Sequence, residues 1–161
     1  MVNTTALPVV VTYVYTLSAG GCTNPTTYAV NVTVNPFPTL TSSLTPPSIC
    51  SASTFSYTPT SLASGTVFSW TRALVAGISN ASASGTGNPN EVLTNTTTSP
   101  VTVTYAYTLA AGGCSNPSVY NVTVVVNPAM TLTSTLTPAA ICSGTSSVSY
   151  THLTLPTKRI V

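Results

Sequence analysis

Charged residues are almost absent from this sequence. Its 161 residues include three Lys or Arg, one Asp or Glu and one His, and charged residues make up 2% of the chain, against about a quarter in ordinary domains. Such a chain has no basic surface with which to bind nucleic acid or anionic lipid. It also lacks an apolar run of about eighteen residues, so we expect no membrane span.

Side chains suited to catalysis or metal binding are equally scarce. Glu91 is the only carboxylate side chain, whereas general acid–base chemistry needs a titratable group poised near the working pH. The four cysteines are widely spaced and there is no Asp-rich calcium loop. The Gly-Gly pairs lack the strand-to-helix context of a phosphate loop. We therefore expect no catalytic residue, no cofactor and no metal site, and thus no enzyme.

The most informative feature present is a repeat with an offset of 92 residues. The segment VTYVYTLSAGGC, which ends at Cys22, returns as VTYAYTLAAGGC, which ends at Cys114. From Asn3 to Ser51, about two-thirds of the positions match their partner at this offset. The sequence therefore predicts a tandem array of near-identical modules. Such arrays provide length or multivalency rather than a single active site.

The same offset predicts where the modules begin and end. Pro36 and Pro128 each follow a Val-rich run at equivalent positions, and proline cannot continue a central strand. We therefore predict the C-terminal part of one repeat at 1–36, a complete repeat at 37–128 and the N-terminal part of the next at 129–147.

The last residues depart from the repeat. Residues 148–161 resemble a translated sequencing-library adaptor, and we predict that this segment is a non-native tail; the alternative is a divergent third repeat. The segment holds His152, Lys158 and Arg159. Without it only Arg72 and Glu91 are charged, and they cancel.

Alternating apolar and polar residues predict strands. Val, Tyr and Leu alternate with Thr and Ala over 101–109, and a similar run covers 120–126, so we predict a long hairpin that turns at Gly112-Gly113. Shorter strands are predicted at 39–44, 54–58, 67–72 and 91–95, with a loop at 76–90. About seven short strands without a helical stripe predict an all-β, immunoglobulin-like sandwich.

The cysteines occupy matched places in each repeat. We predict a Cys50–Cys114 disulfide, worth about 4 kcal/mol, and hence an oxidising setting. A Cys22–Cys50 bridge across a module junction and free thiols in a reducing compartment are the alternatives. Trp70 lies between the two cysteines of the complete module, as the core tryptophan of immunoglobulin domains does. The alternative role for Trp70 is a solvent-facing ligand contact that stacks on sugar.

The tyrosine pairs Tyr13/Tyr15 and Tyr105/Tyr107 recur in the two matched hairpins. We predict that both pairs serve core and hairpin packing rather than forming a binding stripe.

Several short motifs together resemble a known family. They are Ile49-Cys50-Ser51, FSYTPTS from Phe55, FSWTRA from Phe68, GTGNPNE ending at Glu91, and GCSNP from Gly113. Over 1–147 the chain resembles the PKD-like, immunoglobulin-like repeats of very large surface proteins of Bacteroidota. The resemblance implies a β-sandwich, export across the outer membrane and a parent protein that often ends in a gliding-motility or type IX secretion sorting domain. It implies no catalytic residues.

Three hypotheses for function follow. The first is a non-catalytic, extracellular stalk or spacer in a bacterial surface adhesin or gliding-related protein, with neighbouring repeats of the same chain as its partners. The second is a module that binds glycan or a host surface through Trp70 or the 76–90 loop. The third makes the repeats an accessory arm of a secreted enzyme.

Overall fold

All regular structure in the described part of the chain is β-strand. The computed structural model describes residues 1–133, 137 and 140–144, and no helix occurs among them. Every strand lies in one compact unit, Met1–Ala129, while the described residues of a second unit, Met130–Val161, form no strand. The predicted all-β fold class is confirmed. The segment 148–161 lies outside the described residues.

Ten strands form three sheets within the described residues. The strands are β1 (Val9–Ala19), β2 (Cys22–Val34), β3 (Ile49–Cys50), β4 (Ser53–Phe55), β5 (Val67–Arg72), β6 (Ala83–Thr86), β7 (Glu91–Leu93), β8 (Val101–Ala111), β9 (Cys114–Ser115) and β10 (Tyr120–Asn127). β1 and β2 pair only with each other and form a separate hairpin. The large sheet has the order β3-β10-β8-β5-β6, with β9 paired to β8, and a small sheet pairs β4 with β7.

The central hairpin of the large sheet forms as its alternating pattern predicts. β8 and β10 are antiparallel, with Val101 opposite Val126 and Tyr107 opposite Tyr120. Alternate residues of β8 from Val103 to Ala111 are buried and the intervening threonines are exposed, because successive side chains of a strand point to opposite faces. Gly112 and Gly113 have φ values of 55° and 80°, which glycine adopts without steric cost.

The small sheet covers the buried face of the large one, which makes the structure a sandwich. Phe55 on β4 stacks on Tyr105 of β8 with ring centroids 5.0 Å apart. Tyr57, just after β4, lies 5.6 Å from the ring of Tyr107. Leu93 on β7 is fully buried in the same core. The core prediction for Tyr105 and Tyr107 is therefore confirmed.

Two predicted segments differ from the observed strands. Residues 39–44 are not a strand; this proline-flanked segment makes single backbone bonds, from Thr41 N to Thr60 O and from Thr123 N to Leu44 O. Conversely, the predicted 76–90 loop contains β6, which pairs with β5. β6 is rich in Ser and Gly and carries no apolar alternation, so its pairing depends on the neighbouring strand rather than on its own pattern.

The N-terminal hairpin repeats the register of the central hairpin. Val9 lies opposite Val34 and Tyr15 opposite Tyr28, which are the β8–β10 pairs shifted by 92 residues. The face equivalent to the core is exposed in this hairpin, with Tyr13 at 40% and Tyr15 at 52%. Tyr13 and Tyr15 therefore pack in a hairpin as predicted, but the prediction that they also pack in a core is wrong, because no second sheet covers β1 and β2 within the described residues.

Candidate functional site

A buried ion pair joins the two sheets of the sandwich. Arg72 Nε lies 2.9 Å from Glu91 Oε2, and Arg72 Nη2 lies 2.9 Å from Glu91 Oε1. The pair is thus bidentate, the strongest geometry for these groups. Only 1% of the Arg72 side chain and 17% of the Glu91 side chain are exposed. Since Arg72 ends β5 and Glu91 begins β7, the contact bridges the large and small sheets.

Further hydrogen bonds complete this cluster. Arg72 Nη2 donates to Ala81 O over 2.6 Å, and the Tyr105 hydroxyl donates to Glu91 Oε2 over 2.7 Å. Burial raises the pKa of Glu91, but hydrogen bonds from Arg72 and Tyr105 and the arginine charge outweigh it, so the net pKa lies below its ordinary value. Burial and the Glu91 carboxylate raise the pKa of Tyr105. The Arg72 guanidinium and the Tyr105 hydroxyl therefore stabilise the ionised form of the Glu91 side chain.

The sequence patterns did not predict this ion pair, because they gave Arg72 and Glu91 no role beyond two charges that cancel. The scarcity of charge could have predicted the pair. Where the other polar groups are hydroxyls and amides, one arginine and one glutamate on separate predicted strands are expected to form an ion pair with each other. Arginine and glutamate are almost never fully buried unless they are paired.

Trp70 is a core residue. Its side chain is 6% exposed and meets Tyr105 edge-on with ring centroids 5.5 Å apart. The indole lies directly over Gly85 of β6, where an added Cβ would be 2.8 Å from the ring. The core prediction is confirmed, and the alternative of Trp70 as a ligand contact is wrong because the ring has no free face for a sugar.

The predicted Cys50–Cys114 disulfide is contradicted by the structure. Cys50 pairs with Asn127 at one end of the large sheet, whereas Cys114 pairs with Ala111 at the other. The length of β8, about 33 Å at roughly 3.3 Å per residue, separates these ends, and a disulfide requires Cα atoms within about 7 Å. Both thiols are free, and so is Cys22, so the alternative Cys22–Cys50 bridge is not formed either.

The chain enters the sandwich through an anchored segment. Asn35 Nδ2 donates to Gly112 O over 2.8 Å, and Asn116 Nδ2 donates to Pro38 O over 2.8 Å. Pro36 and Pro38 are both buried. The segment between the N-terminal hairpin and the sandwich is therefore held at two points, the turn between β8 and β9 and Asn116 just after β9.

The described residues contain no group of three or more His, Cys, Asp or Glu side chains placed to hold a metal ion. In the same part of the chain there is no helix with the length and apolarity needed to cross a membrane.

Comparison with known proteins identifies the module type. The model of the PKD-like domain family matches residues 47–130, which contain the whole sandwich from β3 to β10. Searches of curated proteins and of solved structures found no match. PKD-like domains are immunoglobulin-like modules that are typically extracellular and non-catalytic. This chain, with its two-sheet sandwich and its buried Trp70, belongs to the PKD-like domain family.

Proposed function

We propose that this chain is part of a tandem array of PKD-like modules that acts as a spacer in a bacterial surface protein. In this role it holds a distal part of the protein away from the cell, and its partners are the neighbouring modules of the same chain. Residues 37–128 are the repeating unit of this array.

The observation that carries this proposal is the position of the two ends of the sandwich. The chain enters beside Gly112, where Asn35 is hydrogen-bonded, and leaves at Asn127, which pairs with Cys50 beside the start of β8. Entry and exit thus lie at opposite ends of β8. Modules joined in this way extend an array along the strand direction, because each contacts only its two neighbours.

The polar groups of the sandwich suit a passive spacer. Its only ion pair among the described residues is buried, and the outward positions of β8 are threonines and alanines. A surface of hydroxyls and amides is neutral, and its net charge does not change with pH. Because salt screens charges rather than neutral groups, the properties of such a surface also depend little on salt. Of the two alternative functions, glycan binding through Trp70 loses its basis because that side chain is buried. The other alternative, an accessory arm of a secreted enzyme, uses the same spacer geometry.

Small-angle X-ray scattering on lengthened chains tests the proposal. One or two further copies of 37–128 are inserted after Pro128 of the full chain, and the maximum dimension is measured. We expect about 30–35 Å more for each copy, which is the length of an 11-residue strand such as β8. Circular dichroism on the same samples checks that strand content per residue is unchanged. Folded copies that leave the maximum dimension unchanged would show that the modules stack side by side, and the spacer proposal would fail.

A further inference from the structure

A cleft opens where the N-terminal hairpin meets the sandwich. We call it the junction cleft; it is lined by residues 1–3 and 32–35, Phe37 and Cys114. We propose that the junction cleft receives residues 49–52 of the preceding module, and that Cys50 of that module forms a disulfide with Cys114. The inference rests on the proposed tandem array and adds to it a covalent link between successive modules.

The walls of the junction cleft have equivalents inside the complete sandwich. Residues 1–3 and 32–35 correspond to 93–95 and 124–127 at the 92-residue offset. The geometry agrees as well as the sequence. Asn3 Nδ2 donates to Val34 O over 2.7 Å, and Asn95 Nδ2 donates to Val126 O over 2.8 Å.

In the complete sandwich these equivalent walls are covered by residues 49–52. Cys50 pairs with Asn127 in a parallel ladder. The backbone N–H of Asn95 donates to Ser51 Oγ over 3.0 Å, and Ala52 N donates to Leu93 O over 2.8 Å. A second copy of the 49–52 segment therefore fits across Asn3 and the end of β2 with hydrogen bonds already seen in the same molecule.

This placement brings two cysteines of adjacent modules together. Paired strand residues lie about 5 Å apart, so the docked Cys50 lies beside Asn35, as Cys50 here lies beside Asn127. Asn35 is hydrogen-bonded to Gly112, two residues before Cys114, and Cys114 lines the cleft itself. Cys50 is exposed and Cys114 half-exposed, so both thiols are accessible to each other. In such an array, Cys114 of each sandwich bonds to the preceding module and Cys50 bonds to the following one.

The covalent step needs an oxidant. Two thiols lose two protons and two electrons as the S–S bond forms, and a small-molecule disulfide such as oxidised glutathione accepts them and becomes two thiols. Exchange proceeds through a mixed disulfide with one of the two cysteines, which the second thiolate then attacks.

An N-terminally lengthened chain tests the link. A copy of residues 37–92 is placed before Met1 of the full chain, which completes the first module at the 92-residue offset. After equilibration with oxidised and reduced glutathione, peptide mass spectrometry maps the disulfides. We expect one bridge, between Cys50 of the added copy and Cys114, while Cys22 and the original Cys50 stay reduced. The unlengthened chain and a lengthened chain with Cys50→Ser in the added copy are the controls, and in both we expect Cys114 to remain alkylatable.

Hydrogen exchange on the reduced lengthened chain separates the two proposals. We expect the amides of β1 and β2 to gain at least tenfold protection once the added copy covers them. Protection without the Cys50–Cys114 bridge would overturn the disulfide and leave the array in place. No gain in protection would overturn the docking of 49–52 and the tandem array together.

Discussion

Arg72 and Glu91 show how a nearly uncharged protein uses its few charges. The Arg72 side chain is almost fully buried and the Glu91 side chain largely so, and the two are hydrogen-bonded to each other between the two sheets. In immunoglobulin domains a disulfide links the two sheets next to the core tryptophan. Here the Arg72–Glu91 ion pair links the two sheets instead. It also lies next to the core tryptophan, because Arg72 is two residues from Trp70 along β5.

Removing one partner of this ion pair is expected to destabilise the sandwich strongly. Glu91→Ala leaves the guanidinium of Arg72 buried and unpaired, which costs about 3–5 kcal/mol of unfolding free energy. The double variant Arg72→Met, Glu91→Leu removes both charges and is expected to recover most of that loss, because apolar residues of similar volume often replace a buried pair without penalty. Urea unfolding followed by fluorescence measures both. A loss below about 1 kcal/mol for Glu91→Ala would show that the ion pair is not needed.

The pH dependence of stability is expected to come from Glu91. Its pKa in the folded protein lies below the ordinary value of 4.5, so the unfolded chain binds a proton more readily than the folded one. The stabilisation is therefore fully present above about pH 5 and is lost as the pH falls through the folded pKa. Urea unfolding at pH 7, 5, 3 and 2 measures this loss. Glu91→Gln, which has no titrating side chain there, is expected to be less stable at pH 7 and nearly flat with pH; an equally steep acid loss in that variant would assign the effect elsewhere.

At the scale of strands, β6 shows how a segment without a pattern is held in place. Its Gly85 lies opposite Trp70, and a Cβ at this position would approach the indole to 2.8 Å. Gly85→Ala is expected to cost about 1–3 kcal/mol, as overpacking in rigid cores does, because Trp70 is buried and cannot move aside. Ser84→Ala, on the next and exposed residue of the same strand, is expected to change stability by less than about 0.5 kcal/mol. Thermal unfolding compares the two, and equal shifts would mean that the indole is free to move.

The two hairpins provide a comparison of one sequence in two environments. Leu109 on β8 is 2% exposed, whereas Leu17, its equivalent on β1, is 54% exposed. Leu109→Ala is expected to cost about 2–5 kcal/mol through the cavity that it creates, and Leu17→Ala less than about 0.5 kcal/mol. Urea unfolding of the full chain measures both. A similar loss in both variants would mean that the core-equivalent face of the N-terminal hairpin is covered in solution.

How much of this structure the sequence predicts depends on whether each element carries its own pattern. β8 and β10 alternate apolar and polar residues over most of their length, and the hairpin formed as predicted, because one face packs into the core. β6 and the two-residue β3 contain too few apolar residues for a period to appear. The Arg72–Glu91 contact joins strands of different sheets, and a spacing along the chain does not specify which strands face each other.

At the scale of the whole molecule, the wrong disulfide prediction has the same origin. Equivalent cysteines in successive repeats indicate that each cysteine has a fixed position within its module. They do not indicate at which end of the sandwich that position lies. The strand order puts Cys50 at the exit and Cys114 at the entrance. The loss of the intramodular bridge removes the argument for an oxidising compartment that rested on it. What remains is that PKD-like domains are typically extracellular.

The entrance to the sandwich determines whether the array is stiff, and its two asparagine contacts are open to test. Asn35→Ala combined with Asn116→Ala removes the bonds to Gly112 O and Pro38 O. We expect the N-terminal hairpin to reorient independently of the sandwich in this variant, so that ¹⁵N relaxation gives its amides a shorter correlation time than those of β8 and β10. Asn24→Ala, which alters only the tip region of the hairpin where Asn24 accepts from Thr26 N, is the matched control and should leave one common correlation time. If the unaltered chain already shows two correlation times, the entrance is a hinge, and the array is a flexible tether rather than a stiff spacer.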